Sequence, residues 1–71
     1  MKLSSLVNCF TVDTFLQIKK RTSSGHFFDG TAHDLLLSSD YGNIRADYFK
    51  KTVLKIKTVD RNIICVEIEE S

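Results

Sequence analysis

The segment from Lys51 to Ser71 limits most strongly what this chain can fold into, because it carries two runs in which apolar and other residues alternate. One side of the first run would present Leu54, Ile56 and Thr58, and the other Val53, Lys55, Lys57 and Val59. One side of the second run would present Ile64, Val66 and Ile68, and the other Ile63, Cys65, Glu67 and Glu69. A period of two is typical of strands with one buried face. The segment therefore predicts a β-hairpin.

The loop of this hairpin follows from the pairing that it imposes. A loop of Asp60 and Arg61 alone would place Ile56 opposite Cys65 and break up the apolar face. A loop of three residues, 60 to 62, gives one consistent set of partners: Ile56 with Val66, Leu54 with Ile68, and Lys55 with Glu67. Asn62 tolerates the left-handed conformation that closes such loops, and the opposite charges add roughly 0.2–1 kcal/mol. We therefore expect the three-residue loop.

The length of the chain bounds its core. Its 71 residues predict a single domain, residues 1–71, that buries only about 60% of the surface exposed by the unfolded chain. Such domains usually gain stability from a disulfide, a metal or association, and association is the expectation here. Cys9 and Cys65 are open to a bridge, but two reduced thiols fit better with the lack of a secretory signal. The sequence also contains no stretch of membrane-spanning length.

The first half of the chain predicts a helix followed by a second hairpin. Leu3, Leu6, Val7 and Phe10 recur at helical spacing, with Ser4 or Ser5 available as the cap. A strand over Thr14 to Lys20 and another over His26 to Gly30 then flank a polar loop. This loop sets Ile18 opposite Phe28 and Lys20 opposite His26, and it turns Phe27 outward near Lys19.

A second helix is expected to start at Thr31, whose hydroxyl would cap it, with Asp34 favoured by the helix dipole. Its buried stripe would be Ala32, Leu35 and Leu36, and Gly42 would end it. In the linking stretch from Ser38 to Lys50, residues 38 to 40 would interrupt or restart the helix, and the rest would carry the chain across to the last hairpin. Two hairpins, each preceded by a helix, give the order αββαββ. The predicted fold is α+β, a four-stranded antiparallel sheet with two short helices on one face.

The predicted sheet divides its residues between a core face and an outer face. The core face would carry Leu16, Ile18, Phe28, Leu54, Ile56, Val66 and Ile68. The outer face would carry four apolar residues together with Cys65, namely Phe15, Phe27, Val53 and Ile63. Such an apolar outer face favours self-association, and the alternative is scattered exposure of the kind that many proteins show. A third interpretation is that Phe15 and Phe27 stack the bases of single-stranded nucleic acid or nucleotides. The neighbouring basic residues would be Lys19, Lys20 and Arg21.

Catalytic and cofactor signatures are missing from the sequence. His26 and His33 have no cysteine at metal-ligand spacing, and the glycines form no phosphate loop. Glu67 and Glu69 would be exposed and held in salt bridges, an environment that does not favour acid or base catalysis. The formal net charge of +1 also makes nucleic acid an unlikely partner. We therefore interpret the chain as a non-enzyme without metal or cofactor.

One stretch also carries a resemblance to known proteins. The strand-to-helix transition Phe28-Asp29-Gly30-Thr31-Ala32-His33-Asp34-Leu35-Leu36, the leucine-rich start, and the ending Val66-Glu67-Ile68-Glu69-Glu70 carry it. Over nearly its whole length the chain resembles small uncharacterised accessory proteins of phages and prophages of low-GC Gram-positive bacteria. It departs from their pattern at residues 21 to 25, which are basic and serine-rich where those proteins have an acidic, glycine-containing turn.

The resemblance implies a binding protein that acts in the cytoplasm of a bacterial host. Such a protein would be a homo-oligomer that blocks host defence by sequestering a nucleotide-type ligand. The ligand phosphates would meet basic residues at a subunit boundary, and an aromatic ring would stack the base. The expected ligand-binding residues are Lys19, Lys20, Arg21, Lys50, Lys51 and Tyr48. The alternative is an adaptor or inhibitor that docks onto a host protein through the apolar outer face.

Overall fold

The computed structural model of this protein describes residues 1–69, and the predicted hairpin residues Glu70 and Ser71 lie outside them. The described elements are helix α1 (Leu3–Val7), strand β1 (Phe15–Lys20), strand β2 (Phe28–Thr31), helix α2 (Ala32–Leu37), a 3₁₀ turn (Ser39–Tyr41), helix α3 (Gly42–Tyr48), strand β3 (Val53–Asp60) and strand β4 (Ile63–Ile68). Within this part of the chain, no helix has the length and apolar character needed to cross a membrane. The α+β class is confirmed.

The four strands form one sheet in the order β2-β1-β4-β3. Both predicted hairpins are present and antiparallel, but β1 and β4 pair in parallel at the centre. The prediction of a purely antiparallel sheet was therefore wrong. Alternation along a strand specifies which side chains share a face, and it carries no information on which strands become neighbours. The central strands are β1 and β4, whose inward-facing residues are the most completely buried in the sheet.

One face of the sheet and the helices enclose a single cluster of buried apolar side chains. The sheet contributes Leu16, Ile18, Phe28, Val66 and Ile68, and the helices contribute Leu3, Leu6, Val7, Ala32 and Leu35. Burying an aliphatic side chain of this size contributes about 1.5–3 kcal/mol. Five of the seven predicted sheet positions are therefore correct. The other two, Leu54 and Ile56, are 47% and 49% exposed, because they lie on β3, the edge strand that the helices cover only in part.

The register of the β3–β4 hairpin was predicted correctly at its centre and incorrectly at its ends. Ile56 pairs with Val66, and Lys55 pairs with Glu67. Toward the turn, a bulge at Val59 brings Asp60 opposite Ile63, so the three-residue loop was wrong. At the other end, a bulge lets Val53 take the place opposite Ile68 that was expected for Leu54. Each bulge adds one residue to β3, which bends and twists this edge strand.

The β1–β2 hairpin has the predicted pairing of Ile18 with Phe28. Its second strand begins two residues later than predicted, so Lys20 and His26 are not ladder partners. Phe27 does not face outward beside Lys19, because its ring stacks on Tyr48 with 4.3 Å between ring centroids. Phe27 therefore packs against the core with the helix layer.

Helices α1 and α2 differ in how their N-terminal backbone groups are satisfied. Thr31 caps α2 as predicted, since its hydroxyl oxygen accepts a hydrogen bond from the Asp34 backbone N–H at 3.2 Å. Helix α1 instead starts after Lys2, without a side-chain cap, so the prediction of Ser4 or Ser5 was wrong. Its first N–H, that of Leu3, donates to the Lys51 carbonyl. A tertiary contact thus satisfies a backbone group for which sequence reasoning expected a local partner.

The linking stretch forms the 3₁₀ turn and helix α3, so the helix layer has one α-helix more than predicted. Gly42 begins α3 and does not end α2. Arg45 fastens these elements together, because its guanidinium donates to the carbonyls of Leu35 (2.8 Å) and Ser38 (2.7 Å). These carbonyls belong to the end of α2, where cations are favoured. Arg45 therefore has a structural role.

Candidate ligand cleft on the outer face of the sheet

The outer face of the sheet is built from three rows of side chains that run across the strands. Following the sheet order, the row near the β3–β4 turn contains Thr31, Phe15, Ile63 and Asp60. The middle row contains Asp29, Gln17, Cys65 and Lys57. The third row contains Lys19, Glu67 and Lys55. The face thus changes from an apolar end at Phe15 and Ile63 to a charged end at the third row.

The loop between β1 and β2 extends over this charged end. Because β1 lies between β2 and β4, His26 reaches across β1 to contact Cys65 of β4. Loop and strands together enclose a cleft of about 300 Å³, which we call the outer cleft. Its lining residues are Lys19, Ser24, His26, Lys55, Lys57, Cys65 and Glu67. This volume lies at the lower end of the range for small-molecule sites.

The charged groups that line the outer cleft are mostly positive, with three lysines against one carboxylate. Glu67 stands between Lys19 and Lys55 in the sheet. Its Oε1 lies 4.0 Å from the Lys19 Nζ, so the ion pair forms with the parallel neighbour and not with the predicted partner Lys55. Both side chains of this pair are about one-quarter exposed, so it contributes little stability. Lys55 and Lys57 remain exposed at the cleft.

A cysteine and a histidine meet in the lining of the outer cleft. The Cys65 Sγ lies 3.7 Å from the His26 Nε2. Lys57 is the strand partner of Cys65 on one side and Gln17 on the other. Sequence reasoning missed this contact because the two residues are 39 positions apart and belong to different hairpins. Only the parallel pairing of β1 with β4 brings them together, and no local pattern predicts that pairing.

The predicted ligand-binding residues do not form one site. Lys19 lies in the outer cleft, whereas Lys20 belongs to the core side of β1, with its Nζ 5.4 Å from the Tyr48 ring centroid. Tyr48 itself is already stacked on Phe27. The remaining predicted residues lie outside the cleft lining: Arg21 after the end of β1, and Lys50 and Lys51 between α3 and β3. Alternation along β1 is the physical reason for the split between Lys19 and Lys20.

The predicted interface residues are also divided between the two faces. Phe15 and Ile63 are partners on the outer face, as expected. Phe27 and Val53 pack against the core and were wrongly assigned to the outer face. Since the bulge in β3 moves Val53 to the position opposite Ile68, it changes sides. The outer face is therefore less apolar than the sequence indicated.

A second surface lies along the edge of the sheet. Strand β3 has β4 on one side and, over most of its length, no described strand on the other. At its start, the Val53 backbone N–H donates to the Met1 carbonyl, and Lys2 bridges to Thr52. Further along, Leu54, Ile56 and Val59 are 47%, 49% and 52% exposed. This edge combines open backbone groups with apolar side chains, the combination that pairs with another strand.

The outer cleft offers lysine side chains that suit an anion, together with one thiol–imidazole pair. In the part of the chain that the structure describes, no three His, Cys, Asp or Glu residues are placed to hold a metal ion. Lysine ammonium groups suit phosphate or carboxylate oxygens. Comparison with known proteins adds no further constraint: no family model, curated protein or solved structure matches this chain.

Proposed function

We propose that this protein binds a small phosphate-bearing ligand of the nucleotide class in the outer cleft and holds it without converting it. The observation that carries this proposal is the meeting of Lys19, Lys55 and Lys57 around one cleft. The wider expectation belongs to the same proposal: a phage-type homo-oligomer in the cytoplasm of a bacterial host that blocks defence by sequestration. The proposed ligand site is the outer cleft, in place of the set of ligand-binding residues inferred from the sequence.

Electrostatics supports an anionic ligand. The three lysines come from two strands that are not neighbours, β1 and β3, with β4 between them. Glu67 offsets part of their charge, and its ion pair with Lys19 is open to competition because both groups are partly exposed. Clefts lined by one sign of charge raise the local concentration of the opposite ion. A phosphate would therefore be drawn to this end of the outer face.

The apolar end of the outer face supports an elongated ligand with an aromatic base. Phe15 and Lys19 are both on the outer side of β1, four residues apart. At 3.3 Å per residue this spacing is about 13 Å. A ligand with its phosphates at the lysines would place a base on Phe15 only if it were extended, as dinucleotides are. Base–aromatic stacking contributes about 1–3 kcal/mol.

Isothermal titration against mononucleotides, cyclic dinucleotides and ADP-ribose-type compounds tests the proposal. We expect binding to at least one class, with affinity that falls as salt increases. Lys57→Gln should weaken binding roughly tenfold, since a charge-assisted hydrogen bond contributes about 1.5 kcal/mol or more. Lys50→Gln is the matched control, an exposed lysine outside the cleft. No binding across the panel, or equal losses in the two variants, would reject the cleft as the site.

A second candidate is an adaptor that docks onto a host protein. The exposed Leu54, Ile56 and Val59 on the open edge of β3 favour it, and they replace the outer face as the docking surface. A partner strand that pairs with β3 would meet Lys55 and Lys57 on the outer side, so an acidic strand fits best. Self-pairing of two copies would bring these lysines together on one face, which costs stability.

Pull-down from bacterial lysate, with light scattering of the purified protein, distinguishes the candidates. An adaptor retains a stoichiometric protein that Ile56→Lys loses, whereas Val12→Lys, which changes an exposed apolar residue elsewhere, keeps it. A dimer in light scattering that Ile56→Lys dissociates would assign the edge to a second copy. A monomer that retains no protein would eliminate the adaptor candidate.

A further inference from the structure

Cys65 and Cys9 have different surroundings. Cys65 is half-buried in the outer cleft, with His26 Nε2 3.7 Å from its sulfur and Lys57 as its strand partner. Cys9 is more exposed, just after helix α1, and its thiol donates a hydrogen bond to the Ser5 carbonyl at 3.2 Å. The chain thus contains one thiol beside an imidazole nitrogen and lysines, and one that donates to a backbone carbonyl.

Three properties of the outer cleft favour thiol chemistry at Cys65. The imidazole of His26 is within reach of the thiol proton. The cleft of about 300 Å³ gives a small reagent access to the sulfur. Lys19, Lys55 and Lys57 attract reagents with negative charge. Reactive cysteines are found in partly exposed, electropositive surroundings of this kind.

We propose that Cys65 is a modification site that forms mixed disulfides selectively with small disulfides bearing carboxylate groups. This inference goes beyond the proposed function and is independent of it, because it requires the thiol, the imidazole and the lysines but no nucleotide. Each modified Cys65 retains one half of the small disulfide. It would fill the cleft with an anionic group at the position where the lysines converge.

The reaction is a thiol–disulfide exchange. His26 Nε2 accepts the proton of the Cys65 thiol, and the sulfur attacks one sulfur of the small disulfide. The S–S bond of the reagent breaks and a new S–S bond to Cys65 forms. The second half of the reagent leaves as a thiolate, which takes up the proton from His26 or from water. The small disulfide is reduced and Cys65 is oxidised, so no further oxidant is required.

The test compares two reagents on the two cysteines of the wild-type protein. Dithiobis(nitrobenzoate) is a disulfide with two carboxylates, and cystamine is a disulfide with two ammonium groups. Protein treated with each reagent for increasing times is digested, and the modified fraction of each cysteine is measured by mass spectrometry. We expect the ratio of anionic to cationic rates to be roughly tenfold or more higher for Cys65 than for Cys9. High salt should reduce this difference.

Two variants separate the contributions of charge and proton transfer. Lys57→Gln should lower the preference of Cys65 for the anionic reagent and leave Cys9 unchanged. His26→Gln should slow Cys65 with both reagents and retain the preference, whereas His33→Gln, at an exposed histidine on α2, should change neither.

The wild-type comparison decides the proposal even if a variant fails to fold. Equal reagent ratios at the two cysteines would overturn it, as would an anion preference that survives in denaturant, where the cleft no longer exists. An unchanged rate in a folded His26→Gln variant would remove His26 from the reaction.

Discussion

Strands β3 and β4 belong to one hairpin and have similar alternating patterns, yet their side chains differ in how far they are buried. Val66 and Ile68 of β4 are fully buried, whereas Ile56, the partner of Val66, is 49% exposed. Both strands direct apolar side chains to the same face. The difference lies in position: β4 is central and β3 is at the edge.

This comparison shows that burial depends on what covers a strand. The helices bury side chains against β1, β2 and β4, and the core cluster contains no buried residue of β3 among those described. The other edge strand, β2, is covered, since Phe28 is 2% exposed and contacts the Tyr41 ring edge-on at 4.9 Å. An edge strand is thus not exposed by necessity. The helix layer reaches one edge of the sheet and only partly covers the other.

The largest effect is expected at the central strand. Ile68→Ala should lower the free energy of unfolding by about 2–5 kcal/mol, because it removes fully buried methyl groups and leaves a cavity. Urea denaturation followed by circular dichroism measures this loss. A loss below about 1 kcal/mol would mean that the strand next to β1 is not the rigid centre of the core.

The helix layer itself is tested by Arg45→Met, with an expected loss of about 2 kcal/mol. This change removes two hydrogen bonds to the carbonyls at the end of α2, each contributing about 1 kcal/mol. Arg61→Met, at an exposed arginine in the β3–β4 turn, is the matched control and should leave the denaturation midpoint unchanged. Equal midpoints for both variants would show that Arg45 does not fasten the helices.

The covered edge is tested by Gly30→Ala, for which we expect a loss of about 1–2 kcal/mol. Gly30 is buried in β2, and an added Cβ would lie 3.2 Å from the Cζ of Phe28. Because Phe28 is itself packed against Tyr41, the ring has little room to move. Gly25→Ala is the control, since nothing lies within 4 Å of its added Cβ. A gain in stability at Gly30 would indicate that β2 is as loosely covered as β3.

The smallest effect is expected at the open edge. Ile56→Ala should cost about 1 kcal/mol or less, because half of this side chain is already exposed to solvent. The same urea titration, repeated at several protein concentrations, measures it. A loss as large as that of Ile68→Ala, and dependent on concentration, would show that a second copy covers β3 in solution.

The local features of the fold were predictable. Alternation fixed the pairing of Ile56 with Val66 and of Ile18 with Phe28, and capping chemistry fixed the start of α2 at Thr31. The errors within β3 arise where one inserted residue changes the side of the strand. The bulges in β3 place Val53 on the core side and leave Leu54 exposed. No residue in that segment predicts a bulge.

The candidate site was predictable only in part. Lys19 was assigned to a ligand site, and the structure places it in the outer cleft, but Lys20 and Tyr48 lie on the core side. His26 and Cys65 were dismissed as metal ligands on their spacing, and their contact depends on the order of the strands.

The sequence alone determined the two hairpins, the cap of α2 and most of the residues that face inward, because these depend on interactions within a few residues or across one turn. Only the tertiary structure decided that β1 and β4 pair in parallel and that the helices leave β3 open. It also decided that residues of separate hairpins share one cleft. These outcomes depend on how whole elements compete for the same buried surface, and the period of a strand is identical in every sheet order that buries it.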